Sequence, residues 1–461
     1  MATESGRKLI KFIKKGFVRS VFILVSGSAL SQVIMILVLP LLTRLYTPGD
    51  FSVLAVYVAA LGIISIAACL RFDIAIPIPE HDTDAANLLA IALFSTSCIA
   101  LFTCAVVWIG ADEIVELLKQ QGLRPYLWLL PAGVFFSGTY SALQYWTTRK
   151  KNFSVIAKTR MSQSIVGAGA QVGIGLLGHG PFGLLLGQML SSGAGIISLS
   201  RIIINRDRSA LQNITLSGMR KMFRAYDRFP KYSTLEAIFN SAAIQMPIII
   251  IAALAAGAEA GFLMLALKVM QAPMGLVGGA VAQVYLSRAP EEYRNGTLGG
   301  FTADTLSGLV KVGIGPLLFL GIIAPDAFVV VFGDEWRRAG ELVAWMTPWI
   351  ALQFISSPVS MVMHVTERQR FMLYLTSAGF LLRVIGVIGG ALYLPNYIVE
   401  IYAVTGALFY LACFVIFSNL SGVRVSDFNL MIRKSIFIVC GWVVVGYVVD
   451  YFSLITMVER L

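Results

Sequence analysis

Charged side chains are scarce in this sequence, and their scarcity excludes an ordinary soluble protein. Asp, Glu, Lys and Arg make up 13% of the 461 residues, whereas a soluble globular domain is usually about a quarter charged. Hydrophobic residues make up 57%, and the mean hydropathy is +0.79. A soluble protein of this composition would expose large apolar patches and aggregate. The composition therefore predicts a protein that lies in the lipid bilayer.

Cysteine and histidine are also few, and neither supports a metal centre. The 5 cysteines stand singly in apolar stretches, the 3 histidines are isolated, and no CxxC or HExxH motif occurs. No GxSxG, Walker A or GxGxxG motif lies at a strand-to-helix junction. We therefore expect no metal, no cofactor and no enzymatic activity. A membrane-bound glycan polymerase or ligase would need a large catalytic loop outside and paired carboxylates, and the sequence offers neither.

Long apolar runs, in contrast, follow one another along the whole chain. A helix that crosses a bilayer needs roughly 20 apolar residues, and we find thirteen such runs with short loops between them. The sequence therefore predicts an all-α polytopic membrane protein with about twelve core helices and about one extra C-terminal helix, which is either a full crossing or a shallow hairpin. The predicted spans are 18–42, 51–70, 88–110, 127–147, 155–177, 182–204, 235–256, 261–285, 300–324, 341–363, 371–394, 398–418 and 435–455.

Positive charge alternates between successive loops. If the N-terminus lies in the cytoplasm, 27 of the 36 Lys and Arg residues fall in inside loops or at the cytoplasmic ends of spans, 6 fall in outside loops and 3 fall deeper within spans. Cytoplasmic loops carry an excess of Lys and Arg, so this split predicts a cytoplasmic N-terminus. The first apolar run is too long for a signal peptide, and no small-x-small cleavage site follows it. Membrane topology explains the net charge of +11, and no basic-aromatic module indicates nucleic-acid binding.

A weak internal repeat indicates two similar halves. The segment SALSQV at 28–33 matches SAAIQM at 241–246, and Pro79 then falls opposite Pro290 once one gap is allowed. The copies are six predicted spans apart, so they share one orientation, as in transporters built from parallel repeats. We therefore predict an N-terminal six-helix lobe at 1–204, a basic cytoplasmic linker at 205–234, a C-terminal six-helix lobe at 235–418 and an extra segment at 419–461.

Two motifs near the N-terminus carry a family resemblance. The run LTRLYTPGDFSVLAVY contains an aromatic-Thr-Pro-x-Asp-Phe turn at 46–51, and LRFDIAI at 70–76 precedes a polar stretch that ends in AANL at 85–88. This pattern resembles the N-terminal region of bacterial lipid-linked oligosaccharide flippases. These are the O-antigen and capsule repeat-unit translocases of the multidrug/oligosaccharidyl-lipid/polysaccharide (MOP) exporter superfamily. The detailed resemblance covers about the first hundred residues, and the odd number of predicted spans departs from the usual family pattern.

The resemblance implies two six-helix lobes that face each other across a cavity in the bacterial inner membrane. The substrate would be an undecaprenyl-pyrophosphate-linked oligosaccharide, which moves from the cytoplasmic to the periplasmic leaflet by alternating access, without covalent chemistry. Cytoplasmic glycosyltransferases and a polysaccharide polymerase would be partners, alongside membrane lipids. A peptidoglycan-precursor flippase is an open alternative. A cation-coupled drug exporter of the same superfamily is disfavoured, because predicted helices 1, 4, 5 and 6 contain no Asp or Glu.

Three cations lie well inside predicted spans, where a charge is costly to insert and is usually functional. Lys268, Lys311 and Arg383 are therefore candidate substrate-binding residues. Lys268 either snorkels to the interface or, with Arg383, holds a pyrophosphate or an acidic sugar. A stripe of small residues on its helix face leaves room for a ligand or for a neighbouring helix; the stripe comprises Ala272, Gly275 and Gly279. Arg383 has no acid on its own helix.

The remaining candidates have stronger structural alternatives. Lys311 shares a helix face with Asp304, so an ion pair within one lobe is as plausible as substrate contact. Arg71 and Asp73 follow the second predicted span and either form the inner mouth of the path or simply obey the inside-positive bias. Asp50 suits the N-cap of the second helix, which makes the 46–51 turn architectural.

Overall fold

The computed structural model describes residues 27, 29–255, 257–366 and 368–458. Within these ranges the chain forms helices joined by short turns, and no strand occurs. The helices are α1 (Ala29–Leu45), α2 (Pro48–Ala68), α3 (Phe72–Ala75), α4 (Asp82–Ile109), α5 (Ala111–Leu118), α6 (Leu129–Arg149), α7 (Phe153–Gly175), α8 (Phe182–Gly193), α9 (Ile196–Arg206), α10 (Arg208–Gln212), α11 (Leu216–Ala225), α12 (Thr234–Leu254), α13 (Glu259–Pro273), α14 (Gly279–Arg294), α15 (Leu298–Leu309), α16 (Gly315–Phe332), α17 (Arg337–Ser356), α18 (Val362–Val365), α19 (Gln369–Tyr393), α20 (Ile398–Ser421) and α21 (Val425–Val458).

The prediction of an all-α polytopic membrane protein is confirmed, but the helices differ in how apolar they are. Nine helical segments of the described chain are long and apolar enough to cross a membrane, and α1 is a shorter apolar helix. The predicted spans 127–147, 155–177 and 261–285 are helical, yet they fall outside the nine. Polar side chains explain the first two, because α6 and α7 carry many hydroxyl and amide groups, whereas 261–285 divides into α13, a π-helical turn and the start of α14. The part of the first predicted span before residue 27 lies outside the described residues.

The last predicted span is one continuous helix. α21 runs from Val425 to Val458 without a break, so the hairpin alternative is wrong. This helix packs on α15 and α16, and the ring of Trp442 occupies the space beside Gly315. The extra helix is thus part of the folded body of the chain.

Contacts within the chain divide it into two compact units. The first unit comprises the chain up to Tyr46 together with Val53–Gln245, and the second comprises Thr47–Ser52 and the chain from Met246 onward. The predicted six-helix lobes, with boundaries at 204 and 235, stay a prediction.

The first unit has a dense core around α3, α4 and α6. Phe72, Ile76, Leu88 and Trp146 are fully buried there, and Met222 of the linker helix α11 packs against the same cluster. The hydroxyl of Thr215 caps α11 by accepting a hydrogen bond from the Gly218 amide. The side chain of Asn87 on α4 accepts a hydrogen bond from the Thr215 amide. The basic linker is therefore fixed to the first unit along its amphipathic helix.

The family turn at 46–51 folds as a reciprocal cap. The Thr47 amide and hydroxyl both donate to Asp50 Oδ2 at 2.9 Å, and the Asp50 amide donates to the Thr47 hydroxyl at 3.2 Å. Because α2 begins at Pro48, Thr47 is the N-cap and Asp50 occupies the third helical position, as in a capping box. The prediction that Asp50 itself is the N-cap is therefore wrong by three residues, because Thr47 is the N-cap. These three hydrogen bonds support an architectural role for Asp50.

Candidate functional site

A cage of aromatic rings surrounds Arg383, near the middle of α19. Its guanidinium carbon lies 4.6 Å from the ring centre of Phe409, 5.6 Å from that of Tyr410 and 5.8 Å from that of Trp349. α20 supplies two of the rings and α17 supplies the third, so packing among three helices builds the cage. Arg383 is half-buried overall, but its Nε and Nη2 atoms are fully buried.

Two buried donors of Arg383 are unused, although its guanidinium also hydrogen-bonds the Tyr410 hydroxyl. Aromatic faces attract a guanidinium by roughly 0.5–2 kcal/mol, but they accept no conventional hydrogen bond. Neither Nε nor Nη2 has a hydrogen-bond partner, and no carboxylate pairs with Arg383 among the residues that the structure describes. The Trp349 indole nitrogen is also buried without a partner. The cage therefore presents a fixed cation whose free N–H groups suit an anion such as phosphate or carboxylate.

Lys268 lies on α13, beside the helix that carries Trp349. α13 packs on α17, and Lys268 is half-buried. The described part of the chain offers it no hydrogen bond and no ion pair. Of the predicted small-residue stripe, Gly279 faces open space, while the side chains of Ala272 and Gly275 lie outside the described residues. The structure thus leaves Lys268 as an uncompensated cation within an apolar helix.

Lys311 lies in a π-helical turn between α15 and α16. The turn Val310–Ile314 joins α15 to α16 and inserts i to i+5 hydrogen bonding between them. Asp304 is exposed, and no ion pair joins it to Lys311. The two residues therefore do not form the expected ion pair in the described part of the chain. Lys311 is half-buried. It remains a candidate substrate-binding residue only because it lies well inside an apolar helix.

Arg71 occupies a strained turn between α2 and α3. Leu70 and Arg71 have φ angles of 47° and 59°, in the left-handed region that non-glycine residues rarely adopt. Asp73, 5% exposed, accepts a 2.6 Å hydrogen bond from Ser141 through Oδ2, whereas Oδ1 has no partner. The Nε of Arg71 is also buried without a partner. Such strain persists only where the surroundings fix it. The inside-positive bias needs only a positive charge at this position, so it does not explain the strained backbone or the buried side chains.

A charge clamp fixes the α3–α4 connection to the end of α6. Arg149 donates to the carbonyl oxygens of Pro77, Pro79 and Glu80, while Lys150 pairs with Asp82 at 2.6 Å. Lys150 also pairs with Asp207, at 2.9 Å. Burial lowers the pKa of Lys150, but its contacts with the two carboxylates outweigh burial and raise that pKa overall.

A second charged cluster, in the second unit, was not predicted. Arg338 at the start of α17 contacts Glu259 of α13, Glu341 of α17 and Glu400 of α20. In the sequence these residues lie at the ends of predicted spans, where charged residues are expected in the adjoining loops. The only sequence signal was Glu400, an acid within the first turn of an otherwise apolar run.

The described residues form no metal site. No group of three or more His, Cys, Asp or Glu side chains there is placed to hold an ion, and the five cysteines are free thiols. The candidate site consists instead of cations and aromatic rings.

Comparison with known proteins gives the family and the fold. The model of a family described as polysaccharide biosynthesis protein matches residues 41–341. No curated protein matches the sequence. A structure of the lipid II flippase MurJ in an inward closed conformation is similar, with a TM-score of 0.72 and 12% identity over 96% of this chain and 98% of that chain.

Two transporter structures are similar at lower scores. An inward-facing multidrug resistance MATE family transporter of the MOP superfamily gives a TM-score of 0.56 at 14% identity, covering 86% of this chain and 94% of its own. A MATE transporter of Vibrio cholerae gives 0.51 at 14% identity, covering 89% and 95%. At these low sequence identities the structures show only a shared fold. The family model, in contrast, matches more than half of the chain and therefore shows the family. The chain therefore belongs to the polysaccharide biosynthesis protein family.

Proposed function

We propose that this chain translocates undecaprenyl-pyrophosphate-linked oligosaccharide repeat units from the cytoplasmic to the periplasmic leaflet of the bacterial inner membrane. The movement serves polysaccharide or O-antigen biosynthesis and proceeds by alternating access, without covalent chemistry. Membership of a polysaccharide biosynthesis family and a fold similar to that of a lipid II flippase support the proposal. Glycosyltransferases on the cytoplasmic side supply the substrate, and a periplasmic polymerase consumes it.

The observation that carries the proposal is Arg383 in its aromatic cage, with no carboxylate partner among the residues that the structure describes. A pyrophosphate cannot cross hydrocarbon unaided, because a buried charge without partners costs many kcal/mol. A cation at a helix centre costs roughly 2.5–3.5 kcal/mol to insert. Arg383 carries this cost and has two buried nitrogen atoms without partners. An anionic headgroup would satisfy these donors and offset the insertion cost.

Lys268 and Arg383 serve the headgroup in different ways. Arg383 presents a planar fork that matches two phosphate oxygens, whereas Lys268 is a mobile point charge. Helix α17 packs on α13, which carries Lys268, and on α20, which supplies the rings of Phe409 and Tyr410 around Arg383. Arg71 and Lys311 contribute along the path, at the α2–α3 turn and at the π turn. Two cations of different geometry suit a diphosphate better than a neutral or cationic drug.

The experiment that tests the function is complementation of a strain that lacks the gene. Wild-type protein should restore surface polysaccharide, and Arg383→Ala should not, although its membrane level is normal. Arg370→Ala is the matched control, because Arg370 is an exposed arginine on the same helix. Restored glycan with Arg383→Ala would remove Arg383 from the mechanism. A deletion strain with normal surface glycan but defective peptidoglycan would favour the peptidoglycan-precursor alternative.

A further inference from the structure

The basic linker carries far more positive than negative charge. Residues 205–234 contain seven Lys and Arg residues but only two acids, Asp207 and Asp227. Both acids already have partners, because Asp207 pairs with Lys150 of α6 at 2.9 Å and Asp227 pairs with Lys231. The linker therefore keeps a surplus of positive charge that its own acids do not balance.

Much of this surplus lies on one face of α11. Arg220, Lys221 and Arg224 follow Ser217 at i+3, i+4 and i+7, so the four side chains share one face of the helix. All four are exposed. Among the described residues no carboxylate pairs with any of the three cations. We call Arg220, Lys221 and Arg224 the basic face of α11.

The other side of α11 is fixed to the first unit, so the basic face cannot turn inward. Met222 is buried in the core that α3, α4 and α6 form. The Thr215 amide donates to the Asn87 side chain at 3.1 Å, and Gly218 lies so close to the same side chain that a Cβ atom there would stand 2.6 Å from Asn87 Oδ1. A face that is already ordered binds a partner without a further loss of conformational entropy.

Apolar side chains stand beside the basic face. Leu216 is 83% exposed, and Phe223 is 45% exposed although its ring also meets Phe72 with 5.4 Å between ring centres. They lie four residues before and three residues after Arg220, and are therefore its neighbours on the helix surface. A face in contact with water alone would leave these side chains uncovered. Cations next to exposed apolar side chains are typical of helices that lie in the membrane interface.

The surrounding helices place α11 at a bilayer surface. Phe182–Arg206 and Phe229–Leu254, before and after it, are both long and apolar enough to cross a membrane, so the chain between them leaves and re-enters the bilayer at one surface. α11 packs on α4, and its bond to Asn87 falls within the first two turns of that helix. The 28 residues of α4 span about 42 Å, more than the hydrocarbon thickness of about 30 Å. This surplus includes the acidic first turn of α4, which lies beside α11.

We propose that the basic face of α11, together with Leu216 and Phe223, binds anionic phospholipids of the adjoining leaflet. Lipid phosphates provide the negative charge that the three cations lack, and the acyl chains below them cover the two apolar side chains. A soluble acidic partner would supply only the charge. Each basic residue near an anionic membrane surface strengthens the attraction by roughly fivefold.

Contact quenching in lipid bilayers tests the proposal with the full-length protein. A dye is attached to Ser217→Cys in a background without the five native cysteines. The bilayers are phosphatidylcholine with a small fraction of a nitroxide lipid, whose headgroup is either phosphatidylglycerol or phosphatidylcholine and whose nitroxide stands on the same shallow acyl carbon. We expect the phosphatidylglycerol probe to quench roughly fivefold more strongly at low salt. The ratio should approach one at 1 M salt, where the Debye length is about 3 Å.

Equal quenching by the two probes at low salt would overturn the proposal and favour a protein partner for this face. The triple variant Arg220→Gln/Lys221→Gln/Arg224→Gln should lose the preference for phosphatidylglycerol. The double variant Arg220→Lys/Arg224→Lys should keep it, because a diffuse anionic surface requires charge rather than a planar fork. A preference that survives in the triple variant would show that other residues attract the lipid.

The matched control removes the same charge from the second unit. Arg294→Gln/Arg368→Gln/Arg370→Gln replaces three exposed arginines there, and this variant should keep the preference. Loss of the preference in the control would assign the attraction to the net charge of the protein and would contradict a specific face. Inorganic phosphate, added at constant ionic strength, should leave the ratio unchanged. A ratio that falls with phosphate would indicate a discrete phosphate site in place of a lipid surface.

Discussion

Gly261 packs its backbone directly against the carbonyl oxygen of Pro48, so that no side chain fits between them. The contact joins the first turn of α13 to the capped turn that begins α2, within the second unit. Phe51 of the same turn, fully buried, meets the Trp336 ring edge-on with 4.9 Å between ring centres. The family turn is therefore held by backbone contact on one side and by aromatic packing on the other.

The first prediction concerns this contact. Gly261→Ala should destabilise the protein by about 1–3 kcal/mol, the usual range for overpacking, because the added methyl group collides with backbone. The matched control is Gly389→Ala on α19, which faces open space and should be neutral or stabilising, since alanine favours helices. Thermal unfolding in detergent measures both. Equal stability of the two variants would show that the turn moves aside at no cost.

The second prediction concerns the cap. Asp50→Ala removes the acceptor for both the amide and the hydroxyl of Thr47, and loss of a cap typically costs about 0.5–2 kcal/mol. Asp50→Asn keeps one acceptor oxygen and should lose less. Unfolding midpoints of the two variants, measured in the same detergent, give the order. A larger loss for Asp50→Asn would contradict the capping geometry.

The correction at Asp50 shows what sequence reasoning can reach in this chain. The apolar runs predict the helices well, because each span needs roughly 20 apolar residues and turns interrupt the runs clearly. Whether Asp50 is the N-cap or the third helical residue depends on where α2 begins. The structure shows that α2 begins at Pro48, so Asp50 is the third helical residue. Helix ends are where pattern and structure diverge most.

The site residues show a second limit. The cost of a charge in a helix predicts Arg383 as a candidate, but its cage consists of rings on α17 and α20, and the sequence does not show which rings of those helices face it. The Arg338–Glu400 pair has the same origin, because long-range packing brings two helix ends together. At Lys311, the expected pairing with Asp304 does not form among the described residues, because Asp304 is exposed and a shared helix face alone does not fix an ion pair.

The third prediction concerns topology. The charge distribution predicts that Arg220 of the linker helix lies in the cytoplasm and that Lys119, after α5, lies in the periplasm. Both positions are exposed, so single cysteines there, in a background without the five native cysteines, are accessible to labels. A membrane-impermeant maleimide should label position 119 in intact cells and position 220 only after lysis. Strong labelling at 220 in intact cells would reverse the whole orientation.

The last prediction concerns Lys268. We expect Lys268→Ala to abolish surface polysaccharide in the complemented strain while protein level and membrane insertion stay normal, because the residue is half-buried and has no protein counter-charge among described residues. Lys268→Arg should keep part of the activity, since it retains the charge but replaces a compact ammonium by a planar fork. The measurement is surface glycan, with protein level checked by immunoblot. If Lys268→Ala exports glycan normally, Lys268 is a snorkelling anchor at the interface, and Arg383 alone would remain as the candidate cation for the pyrophosphate.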